Sequence, residues 1–137
     1  MKFKEYYVTN NEGKSNCVIR SFCKIYNDSY NNVYDELIDI SKELNCNNFN
    51  DVEVFEEYMK RRNTTAIDYG SDMQIKDLQL NNGTYAILCW DKKDFYHMVV
   101  VIDGILYDKD DSSLELYVIT NYKQNVPIKI KGVDPNE

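Results

Sequence analysis

His97-Met98-Val99-Val100-Val101-Ile102-Asp103-Gly104-Ile105-Leu106-Tyr107-Asp108 is the stretch whose reading decides the fold. Two apolar runs flank Asp-Gly, the strongest short-range hairpin signal a sequence carries. With Asp103-Gly104 as the turn, Ile102 faces Ile105, Val99 faces Asp108 and His97 faces Asp110. Side chains alternate faces along a strand, so His97, Val99, Val101, Leu106, Asp108 and Asp110 share one face. The chain's single histidine is thereby set beside two carboxylates, Asp110 opposite and Asp108 diagonal. A register slip of one residue would send both acids to the other face. Asp110 and Asp111, followed by two serines, also read as an ordinary solvated turn. Asp108 instead closes an apolar strand.

Working outward from the hairpin, residues 85–90 form an apolar run of strand length between Asn82-Gly83 and the polar loop 91–94. Strands are also expected over 64–69, 117–122 and 126–130, with a brief helical turn over 75–80. Upstream of residue 64 the periodicity is helical. Asn16 or Ser15 caps a helix over 17–26, with Val18, Ile19, Phe22 and Ile25 as its apolar stripe. Ser29 caps a second helix, in which Val33, Tyr34, Leu37, Ile40 and Leu44 recur at three- and four-residue spacing. Asn50 followed by Glu53 has the form of a capping box, opening a third helix with Val52, Phe55, Tyr58 and Met59 as its apolar face. Helices followed by an antiparallel sheet make an α+β domain.

Composition fits one domain over residues 1–137. Hydrophobic residues are 43% of the chain and only two prolines and five glycines occur, so a sizeable core is expected and no linker is. The net charge of -7 argues against nucleic acid as a partner. Lys60, Arg61 and Arg62 are the one basic cluster, and they suit the carbonyl end of the third helix. The first residues are polar and no apolar run approaches membrane-spanning length, so a cytoplasmic protein with no membrane partner is expected. Its four cysteines (Cys17, Cys23, Cys46 and Cys89) are then expected as free thiols. Their spacing, with one histidine, matches no zinc pattern, and no metal or cofactor is expected.

Cys17 stands where a helix begins. Backbone N–H groups and the positive end of the helix dipole favour a thiolate there. Cys23 and Cys89 lie in apolar runs and read as small core residues. His97 is the available general base, and either Asp108 or Asp110 could fix its tautomer. The backbone N–H of Cys17 and a side-chain amide from Asn11 or Asn16 are candidate oxyanion donors. Trp90 is a candidate for shielding the site or for the core. Arg20, one turn beyond Cys17, either pairs with a nearby carboxylate or reads a substrate carboxylate.

Cysteine at the head of a helix, histidine later on a strand, and a third polar residue on the next strand together resemble the papain-like superfamily. The segments Asn16-Cys17-Val18-Ile19-Arg20 and 97–108 look like the two signature blocks of small bacterial and phage proteins of the bacteriocin-processing-peptidase-like kind. Asn11 stands where the superfamily has Gln, and Val18 where it has an aromatic residue. The resemblance implies a papain-like fold with N-terminal helices on the sheet, and thiol hydrolase chemistry on a peptide or protein substrate. Cys17 would be the nucleophile, His97 the acid–base, Asp108 the orienting group and Asn11 an oxyanion donor. The same order of residues also supports glutamine transamidation or deamidation. A non-catalytic protein-binding module on the same scaffold is the alternative outside enzymes.

Overall fold

The computed structural model describes residues 1–69, 72–113 and 115–125. It is a mixed α+β fold of three helices and one six-stranded sheet. The strand expected over 126–130 lies outside the described residues.

The helices follow their caps. α1 (Cys17–Tyr26) starts at Asn16, whose side-chain oxygen accepts from the N–H groups of Val18 and Ile19, and stops at Asn27 in the left-handed conformation. α2 (Tyr30–Glu43) is capped by Ser29, which accepts from Asn32 N–H. α3 (Val52–Lys60) corrects the sequence reading. Its N-cap is Asp51, no side chain caps it, and Val54 is buried in the place expected for Val52. Val52 is 48% exposed. At the other end of α3, Arg61 pairs with Glu57 and Glu43, and Arg62 with Glu36, so these two cations are engaged by the helices.

The strands are β1 (Lys2–Glu5), β2 (Thr64–Tyr69), β3 (Thr84–Trp90), β4 (Tyr96–Ile102), β5 (Ile105–Asp108) and β6 (Tyr117–Gln124). Their order in the sheet is β1-β5-β4-β3-β6-β2. β1 has no counterpart in the sequence reading, and it runs parallel to β5, so the sheet is mixed rather than antiparallel throughout. The hairpin has the expected register: Ile102 pairs with Ile105, Val101 with Leu106 and Val100 with Tyr107. Asp103 and Gly104 both adopt positive φ (50° and 80°), as a type I′ turn requires.

Both faces of the sheet are covered, which is why β3 and β4 read as nearly continuous apolar runs. On one face, Ala86, Met98, Val100 and Tyr122 meet Ile19, Phe22, Leu37, Phe55 and Tyr58 of the helices. Phe22 and Tyr58 stack there at 4.6 Å between ring centroids. On the other face, Ile87, Cys89, Val99, Val101 and Leu106 pack with Ile75 of a 3₁₀ turn (Ile75–Asp77) and with Leu116. Among the described residues no helix is long and apolar enough to cross a membrane.

Candidate active site

α1 packs against β4, and Ser21 Oγ donates to the Met98 carbonyl at 3.2 Å. That contact sets the first turn of α1 beside His97. The β4–β5 ladder ends at Val100–Tyr107, three residues short of His97 on β4. Beyond it, side chains rather than backbone join the two strands. His97 Nε2 and Asp108 Oδ2 lie 2.7 Å apart. With Nε2 committed to Asp108, Nδ1 is the ring nitrogen left for Cys17, whose Sγ is hydrogen-bonded to the imidazole.

The electrostatics of the pair agree in direction. Burial alone would raise the Cys17 thiol. The hydrogen bond and charge of His97, a backbone hydrogen bond from Met98 and the charge of Arg20 outweigh it, and the pKa is lowered. Burial alone would lower His97. Its hydrogen bonds to Asp108 and Cys17, and their charges, outweigh that and raise it to about 9. A lowered thiol and a raised imidazole describe a thiolate–imidazolium pair. The other cysteines differ: burial pushes Cys23 up to about 11 and Cys89 higher still, and Cys46 is also raised. All four cysteines are free.

Asp108 is 2% exposed and fully engaged. Its Oδ1 accepts from Arg20 Nη2 at 2.7 Å and from Lys109 N–H at 2.8 Å, while Oδ2 serves His97. Its backbone carbonyl accepts from Tyr6 N–H, just past β1. The unexpected strand therefore anchors the orienting acid. Asp110, exposed and in no ion pair among the described residues, is not the partner of His97.

Cys17 and His97 lie in a cavity of about 630 Å³ that also takes in Ser15, Asn16, Phe95 and Tyr96. The Cys17 N–H has no acceptor among the described residues, because the Asn16 cap takes the next two N–H groups. Asn16, whose side-chain oxygen is held by the cap, also lines the cavity. One sequence assignment changes, that of Asn11, and the open ones of Arg20 and Trp90 are narrowed. Asn11 sits exposed in the turn between Asn10 and Lys14 and does not line the cavity. Arg20 is 5% exposed and committed to Asp108, with Nη1 on Ser15 Oγ, so it is not free to read a substrate. Trp90 stacks on Tyr96 at 5.6 Å and lines a different depression, reaching the site only through that ring. Phe95, to which the sequence reading gives no role, stacks on His97 at 5.5 Å and is 51% exposed. An aromatic two residues before the histidine projects from the same side of the chain, and that spacing could have revealed it.

Comparison with known families, with curated proteins and with solved structures finds no match to this chain.

Proposed function

We propose that this chain is a cysteine hydrolase acting on a peptide or amide bond, on a papain-like scaffold. The observation that carries the reading is the connected row Cys17–His97–Asp108, with a lowered thiol, a raised imidazole and a buried carboxylate behind it. A structural cysteine needs none of these, and Cys23 and Cys89 have none.

The chemistry follows from the row. The Cys17 thiolate attacks the carbonyl carbon, and the developing oxyanion meets the free Cys17 N–H and the Asn16 amide. The imidazolium of His97 gives its proton to the leaving amine, and the C–N bond breaks to leave a thioester on Cys17. His97, now neutral, takes a proton from water as the water attacks the thioester. The acid leaves, and the proton on His97 restores the ion pair. Asp108 holds the tautomer and stabilises the imidazolium at each stage.

The test is incubation with a library of fluorogenic peptides and peptide thioesters, with mass mapping of Cys17. The reading expects turnover that Cys17→Ala abolishes, and an acyl adduct on Cys17 with slow substrates. Repetition with an added primary amine separates hydrolysis from acyl transfer. Turnover of nothing, with no adduct on Cys17, would contradict catalysis and favour the binding-module alternative.

A further inference from the structure

The cavity that holds Cys17 and His97 is lined by more carboxylates than the catalytic row uses. Within it, Asp108 is balanced by Arg20, and the Cys17 thiolate by the His97 imidazolium. What remains on the lining is Asp91, Asp110, Asp111 and Glu115, against the single ammonium of Lys109, an excess of three negative charges. Among the described residues none of these four acids is in an ion pair, whereas Glu36, Glu43 and Glu57 on the helices are. Asp91 and Asp111 do accept backbone N–H groups of their own loops, which fixes where their charges stand. The same lining carries two exposed aromatic rings, Phe95 at 51% and Tyr96 at 58%.

Carboxylates interleaved with exposed aromatic rings suit one kind of side chain. The ammonium or guanidinium of Lys or Arg is met by the acids, and its apolar stem or the cation itself lies on the rings. A single divalent cation suits the lining less, because among the described residues no three of His, Cys, Asp or Glu converge closely enough to hold a metal ion. We infer that the substrate of this site is a cationic peptide, with Lys or Arg next to the scissile bond received by Asp110, Asp111, Glu115 and Asp91 around the Phe95 and Tyr96 rings. This rests on the hydrolase reading above, since it names the substrate class of that same site. Low-dielectric walls focus the field of such a rim, so a basic peptide gains in encounter rate as well as in affinity.

The test uses peptidyl acyloxymethyl ketones that differ only in the residues beside the reactive carbonyl: Lys or Arg, Ala, and Glu. The readout is the second-order rate of Cys17 modification, followed by mass, with iodoacetamide as a small neutral control. Basic reagents are expected to react at least about tenfold faster than acidic ones at low salt, and the ratio should shrink as salt screens the rim. The doubly neutralised rim Asp110→Asn/Glu115→Gln, both outside the catalytic row, should cut the ratio and leave the iodoacetamide rate unchanged. Equal rates for basic and acidic peptides, or a ratio untouched by the rim change, overturn the cationic substrate and leave the hydrolase reading standing. Iodoacetamide modification with no reaction of any peptide reagent also overturns it. A Cys17 with ordinary thiol reactivity toward every reagent overturns both.

Discussion

Asp108→Asn tests the buried row most severely, because it changes charge and almost nothing else. Asn has the shape of Asp, so no cavity is made. In the native protein the Asp108 and Arg20 side chains are 3% and 6% exposed and lie 2.7 Å apart. Neutralising Asp108 leaves the guanidinium buried with neutral acceptors only, the Ser15 hydroxyl at 3.2 Å and the new amide oxygen, and with no carboxylate paired to it among the described residues. Removing one partner from a buried pair costs about 3–5 kcal/mol, because the charge left behind is uncompensated. For a domain of this size that is a fall in Tm of about 10 °C or more. The assay is urea denaturation at pH 7 followed by far-ultraviolet circular dichroism. Arg20→Met/Asp108→Asn removes both charges and should recover much of the lost stability, which a packing defect at either residue would not do. Activity should not recover. The alkaline limit of the ion pair, set by His97 at about 9, should move to lower pH because the hydrogen bond and charge of Asp108 are what raise it. If the substituted amide keeps its oxygen toward Arg20, its nitrogen turns to Nε2 and favours the wrong imidazole tautomer, a loss of up to about 10⁴-fold in rate. An Asp108→Asn protein within about 0.5 kcal/mol of the native one would refute the reasoning, since an unpaired buried guanidinium cannot cost so little.

Other outcomes follow from single contacts. Asn16→Ser keeps a good cap for α1 but removes the side-chain amide, so stability should hold while peptide turnover falls by about 10²-fold; Asn16→Ala should lose about 1 kcal/mol as well. Gly104→Ala places a β-carbon at φ 80° and should cost about 1–2 kcal/mol in urea, a loss in which the His97–Asp108 geometry shares. Tyr58→Phe keeps the stack on Phe22 and removes a buried hydroxyl that has no partner among the described residues, so its Tm should be equal to or above the native value.

What the sequence made legible was local or periodic. α1 and α2 announce themselves through Asn16, Ser29 and their apolar stripes, and Asp103-Gly104 alone gives the hairpin and its register. That register puts His97 beside Asp108 on residue spacing alone, whereas Cys17 is singled out by its place at the head of α1. β1 was illegible because Lys2–Glu5 has an exposed side chain at every position and pairs through its backbone. A parallel edge strand of that kind has no hydrophobic signature, yet it anchors Asp108. α3 is misphased in the sequence reading because Asn50 and Asp51 are both good caps, and Val52 and Val54 each fit helical spacing with Phe55, Tyr58 and Met59. The choice between Asp108 and Asp110 turned on where the ladder ends, a property of strand divergence rather than of residue type. Arg20 has several possible roles on sequence grounds and no assigned one, since its partner is 88 residues away. Asn11 was placed by its distance from Cys17 along the chain, and the turn between Asn10 and Lys14 carries it elsewhere.

The central claim, a thiolate–imidazolium pair between Cys17 and His97, is tested most directly by the pH dependence of Cys17 alkylation. Iodoacetamide is used with peptide mass mapping on the native protein and on His97→Ala. In the native protein the lowered thiol should keep Cys17 reactive below the free-cysteine range of about 8.5. Loss of His97 removes its hydrogen bond and charge while burial still raises the thiol, so the profile of the variant should move to higher pH. Reactivity that titrates near the free-thiol value in both proteins would contradict the pair, and with it the catalytic reading of the site.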